Sequence, residues 1–339
     1  MATRTAMTRI FTTCMEHWTA NEAAAMDGGD PEGVHQLRVG LRRFRSALTL
    51  FAPLLPPEQP ASIKEDARWA VQELNAARDW DVFLGEMVPP VSAARGEAMF
   101  TPLRDAAEAQ RARGYDGVGA MLRSERYGAF MARLRVWLTE QAAPHEVESD
   151  GPKNDGPKND GSGDDGSGDD GSGDDGSGDD GPANDAHGSL DAPVTVYAQT
   201  TLAKRHKKAL KRGKGFDTLT SEQRHRVRIA LKKLRYATEF FQSLFPGKRT
   251  QTYLARLKRL QDDLGHLNDV AVADRLLREL IAASSDGHKV DLALAAGQVQ
   301  GWYARGVTIL EPDTRRDWSS FRKSKRFWTK RADPSVVES

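Results

Sequence analysis

Sliding the sequence against itself by 190 residues lays VHQLRVGLRRFRSALTLF (34–51) over RHRVRIALKKLRYATEFF (224–241) without a gap. This limits the chain to folds that use one supersecondary unit twice. Between 35 and 51, six of seventeen positions are identical: His35/His225, Arg38/Arg228, Leu41/Leu231, Arg45/Arg235, Ala47/Ala237 and Phe51/Phe241. Arg42 and Arg43 stand over Lys232 and Lys233, and the same offset carries through Leu74/Leu264 to Asp79/Asp269.

The repeated unit reads as a helix. Val34, Leu37, Leu41, Phe44, Leu48 and Phe51 recur at 3 and 4 spacing, a core stripe for a helix in a bundle. His35, Arg38, Arg42 and Arg45 follow the same spacing one residue later, which puts them about 100° round the helix, beside the buried seam. The second copy supplies His225, Arg228, Lys232 and Arg235. Cations stacked every turn repel one another, so this arrangement destabilises the chain unless acids or an external anion neutralise it. Near the stripe the helix itself offers only Glu239; other acids lie on the next helix, Asp79 and Asp81 in the first half, Asp263 and Asp269 in the second. Asp79 and Asp269 are read as structural clamps on arginine forks.

Helices are expected at 4–26, 31–52, 60–87, 93–113 and 119–142, then at 192–212, 220–245, 249–284, 289–308 and 316–331, because no alternating strand pattern appears. Asp30 before Pro31 reads as an N-cap, Thr220 with Gln223 as a capping box, and the prolines at 53–60 and 89–90 as stops.

Residues 150–185 divide the two halves. They hold 12 Asp and 2 Lys in GPKND and GSGDD units, a net −10, so the +1 of the whole chain conceals +11 elsewhere. With almost nothing to bury, the tract reads as a flexible acidic linker over 144–188, between a first half at 1–143 and a second at 189–332, with a disordered tail at 333–339. It serves either as a solubilising spacer or as a weak intramolecular competitor for the basic faces. At 39% hydrophobic and 29% charged, with no apolar run of bilayer length, the chain is expected to be cytoplasmic. Cys14 is the only cysteine, which excludes an internal disulfide and a cysteine-built zinc site.

Further cations lie in LAKRHKKALKRGKG (202–215), where Lys204, Lys208 and Lys211 share a face, and in the basic, aromatic segment 315–331. At an offset of 190, Cys14 and Trp18 stand opposite Lys204 and Lys208, so the positive field is heavier in the second half. Arg forks and Lys point charges in this number suit the oxygens of a linear polyanion. The candidate binding set is His35, Arg38, Arg42, Arg43, Arg45, Lys204, Lys208, Lys211, His225, Arg228, Lys232, Lys233 and Arg235. His35 and His225 act either as phosphate donors or as hydrogen-bonded structural residues.

VHQLRVGLRRFRSALTLF followed by ARDWDVF, and RHRVRIALKKLRYATEFF followed by LNDV, resemble the paired signatures of the CHAD domain family. The resemblance implies an all-α fold: two antiparallel helical bundles related by a pseudo-twofold around a basic central groove or pore that binds inorganic polyphosphate. It also implies association with polyphosphate granules. The acidic tract departs from that pattern, as do the unequal first helices.

No ExExK, GxxxxGK[ST] or HExxH motif is present, so binding without catalysis, metal or cofactor is the expected activity, with a polyphosphate or triphosphate-processing enzyme the less favoured reading. Nucleic acid shares the electrostatics and stays as the alternative, although Tyr236 is the only aromatic on the repeated stripe and single-strand binding calls for several.

Overall fold

A computed structural model of the chain describes residues 1–56, 61–143, 189–284 and 286–329. The linker at 144–188 and the tail at 333–339 lie outside the described residues. Among those described, every regular element is helical, apart from an isolated bridge between Ala2 and Pro193. None of the helices is long and apolar enough to cross a membrane.

The first half comprises α1 (Thr3–Thr19), α2 (Glu22–Asp27), α3 (Pro31–Phe51), α4 (Ala61–Glu73), α5 (Asn75–Val82), α6 (Val88–Arg95), α7 (Thr101–Arg123) and α8 (Glu125–Ala142). The second comprises α9 (Val194–Arg212), α10 (Ser221–Phe241), α11 (Lys248–Ala283) and α12 (Asp286–Arg322). Local chemistry sets the starts of the two repeated helices. Asp30 accepts from the Glu32 amide at 2.8 Å ahead of Pro31, and Thr220 with Gln223 closes a complete capping box.

Sequence and structure part company in several places; the helices expected at 4–26 and 60–87 are each divided, the first into α1 and α2 and the second into α4, α5 and a π-helical turn. The break expected between 113 and 119 is absent, because α7 runs straight through Gly114: a Cβ there would come within 2.8 Å of the Ala77 backbone, so glycine is what lets α5 and α7 touch. The true end is Ser124, whose hydroxyl caps Tyr127 in α8. The helices expected at 289–308 and 316–331 are one helix that continues through Pro312, anchored beyond it by buried Trp318 and Phe321. Pro89 and Pro90 do not separate helices either; a π-helical turn at Phe83–Met87 leads into α6, and the prolines occupy its first turn, where missing N–H groups leave no bond unmade.

Two cores result. The larger joins both halves through α1, α3, α8, α9 and α10, with Phe51 stacked on Tyr197 and edge-on to Phe241 at 6.2 Å. The smaller packs α5 to α7 against the adjoining ends of α11 and α12 around Phe83, Phe100, Leu277 and Ala295. The start of the chain and the start of its second half reinforce the first: the Thr3 amide donates to the Ala192 carbonyl at 2.9 Å and the Val194 amide to that of Met1 at 3.3 Å.

Seven of the eight buried positions of α10 coincide with buried positions of α3 at the offset of 190. The first helices differ: Thr3, Ala6, Met7, Phe11 and Trp18 of α1 coincide with buried Val194, Tyr197, Ala198, Leu202 and Ala209 of α9 at 191. Ala209, and not Lys208, is therefore the counterpart of Trp18.

The second-half core also holds a histidine. His206 is buried against Tyr253, Phe321 and Trp328, with Nδ1 2.8 Å from the Tyr253 hydroxyl. Desolvation, helped by Arg326, pulls its pKa from 6.5 down to about 4. The unfolded chain takes up this proton first, so the stabilisation is complete above the unfolded pKa and is lost as pH falls toward the folded one, by roughly 3 kcal/mol at most. Denaturant unfolding between pH 7 and 4.5 is expected to show that loss, and His206→Phe to flatten it. An equal slope in the variant would place the acid sensitivity elsewhere.

Candidate functional site

Between the two cores lies a cavity of about 240 Å³ where α3 and α10 meet α5, the π turn and α11. From α3 come His35, Arg38 and Arg42; from α10, Arg228 and Lys232, which are the partners of Arg38 and Arg42 at the offset of 190. Arg78 and Asp79 enter from α5, Glu86 from the π turn, and Asn268, Asp269 and Arg275 from α11. Six cations thus face three carboxylates.

Two of those carboxylates are bound to cations from outside the repeated helices. Glu86 holds Arg78 at 3.2 Å, and Asp79 accepts from Arg275 at 2.9 Å, tying the first half to the second. The arginine that Asp79 engages here is thus one of α11. Arg38 donates from Nε to the Asn75 side chain at 2.8 Å. Among the described residues, no hydrogen bond or ion pair is made by Arg42, Arg228 or Lys232. Their nearby counter-charge is Asp269, which acts on both Arg228 and Lys232 through space.

The electrostatics are those of an under-neutralised site. Burial, then Arg42, Arg228 and Arg38, hold the Lys232 ammonium well below the usual lysine range, against the pull of Asp269. Desolvation and Arg42 likewise oppose the charge on Arg228, which as an arginine nevertheless stays protonated. Burial raises the Asp269 carboxyl although Arg228 works against it. His35 is lowered by burial and by Arg78. All of these are half-buried, with surface left open to the cavity.

The remaining predicted residues stand elsewhere. Arg43 lies over the Phe240 ring at 5.6 Å and 3.7 Å from Glu239, beside buried Cys14. Arg235 donates to the same Glu239 at 2.7 Å and to Gln261 at 3.2 Å. Arg45, Lys204, Lys208, Lys211, His225 and Lys233 do not line the cavity, and none of them is without a partner. Asp81 is buried under Arg111 and Tyr115 on the α7 side. Sequence reasoning missed Arg78, Glu86 and Arg275, which have no identical mate at the offset of 190; the signal for Arg78 was its place next to Asp79.

Chemically, the cavity offers guanidinium forks and an amine to a narrow anionic chain. It offers no stacking surface: Phe83, the phenyl ring of its lining, is fully buried and edge-on to Trp80.

A family model described as the CHAD domain matches residues 9–278. The crystal structure of the CHAD domain from the plant Ricinus communis is similar over 96% of this chain and 93% of that one, at 29% identity and a TM-score of 0.73. PptA from Streptomyces chartreusis shares the fold at 14% identity, over 94% of this chain and 100% of that one, with a TM-score of 0.61. Among curated proteins none matches.

Proposed function

The chain belongs to the CHAD domain family, and on that premise we propose that it binds inorganic polyphosphate in the cavity between α3 and α10 without turning it over. The observation that carries this reading is the trio Arg42, Arg228 and Lys232, gathered from matched positions of two helices and left without an internal ion pair among the described residues. A phosphate chain supplies one charge per unit, and its strongest contacts are charge-assisted. We take the two halves to be related by a pseudo-twofold, in keeping with the shared buried faces of α3 and α10 and with Phe51 meeting its own counterpart Phe241. The protein would then sit in the cytoplasm beside polyphosphate granules, as the sequence resemblance implies.

Competition separates this reading from nucleic-acid binding. Long-chain polyphosphate is expected to displace bound RNA or single-stranded DNA at matched phosphate concentration. With about four phosphate contacts, affinity should fall on the order of 50-fold between roughly 50 and 200 mM salt. The chain-length distribution of the polyphosphate should be unchanged after prolonged incubation. Equal competition by random single strands would move the function to nucleic acid, and shortened chains would make the protein an enzyme.

A further inference from the structure

Lys232 is the cation of the cavity whose charge has the least support. It sits one turn from Arg228 on α10, and α3 presents Arg38 and Arg42 to it across the cavity, with His35 beside them. On the α5 side the charges are Arg78 and Asp79, with Glu86 from the π turn; α11 adds Asp269 and Arg275. Asp79 and Glu86 already serve Arg275 and Arg78, which leaves Asp269 as the acid acting on Lys232. Arginines keep their protons in such surroundings, whereas an amine yields. The strain of crowding like charges in a poorly hydrated space therefore falls on the lysine.

We propose that Lys232 stands unprotonated in the empty cavity and takes up a proton when a polyanion enters, so that binding the chain and protonating this one amine are a single coupled event. The balance is simple: the amine lone pair binds a proton from the medium, no other bond forms or breaks, and the new ammonium faces the phosphate oxygens. The direction agrees with the depressed titration of Lys232. The consequence is pH dependence. Between the titration of the free lysine and that of the bound one, affinity falls by about tenfold per pH unit as pH rises, the linkage for one proton.

The inference rests on the polyphosphate reading, and the experiment keeps the two apart. Long-chain polyphosphate is titrated calorimetrically into the full chain at pH 8.5, in three buffers of different ionisation enthalpy. The wild-type protein, Lys232→Arg, Lys232→Met and Asp269→Asn are compared. The wild type should take up close to one proton per site, seen as a dependence of the heat on the buffer. Lys232→Arg, permanently charged, should bind without proton uptake and lose the pH dependence. Lys232→Met should also lose the uptake, and bind more weakly near neutral pH. Asp269→Asn should retain uptake, which shows that the proton does not go to the carboxylate. Tight binding with buffer-independent heat, or uptake that survives in Lys232→Arg, would overturn this inference and leave the function standing. No binding by the wild type would overturn both.

Discussion

Replacing Arg42 and Arg228 together with alanine is expected to weaken polyphosphate binding by roughly 100-fold, taking a charge-assisted hydrogen bond to phosphate at about 1.5 kcal/mol each. The same double variant should be no less stable than the parent, and its Tm is expected to hold or rise. Both guanidinium groups lack an internal ion pair among the described residues and each opposes the charge on Lys232, so removing them relieves a repulsion that outweighs the lost through-space attraction between Arg228 and Asp269. Arg235→Ala should show the reverse signature. Its bond to Gln261 ties α10 to α11 and its bond to Glu239 braces α10 itself, and their loss should reduce stability by about 1–2 kcal/mol while changing affinity little. Binding isotherms and melting curves on these variants decide the matter. A double variant that binds normally, or that melts early, would mean that the cavity cations are structural.

The largest effect on folding is expected from Phe51→Ala. Phe51 is fully buried and meets Phe11, Tyr197 and Phe241, so its ring joins α1 and α3 of the first half to α9 and α10 of the second. Truncating a ring in such a place costs about 3–5 kcal/mol. For a chain of this size the fall in Tm is roughly 5–8 °C. Both halves should lose stability together in one transition followed by circular dichroism, because the core they share is a single cluster. Two separate transitions, with only one of them shifted, would show that the halves fold independently.

Much of the site was legible in the sequence, and the limits have a physical cause. Side-chain spacing sets an angle round the helix, and that angle was right for Arg38, Arg42, Arg228 and Lys232. Spacing says nothing about where along the axis a cavity ends. Arg45 shares an azimuth with Arg38, but it lies seven residues on, about 10 Å further along the helix, beyond the lining of the cavity. At the matching level of α10, Glu239 and Gln261 occupy Arg235. The unequal first helices had a related cause. A gapless comparison at 190 cannot register a connection one residue shorter, so it set Trp18 against Lys208 when Ala209 is the buried counterpart. Arg78 and Arg275 escaped notice because repetition was the signal being followed, and neither is repeated. The continuous α7 escaped because a glycine inside a helical pattern reads as an ending when the neighbour that requires it, here Ala77, is not in view.

The crowding of like charge around Lys232 has a bearing on how such a chain changes over generations. A carboxylate introduced into that recess would quiet the mutual repulsion and give a sturdier molecule, yet one whose recess is already full. If the recess captures a polyanion as proposed, sturdiness and capture would pull in opposite directions at the same few positions.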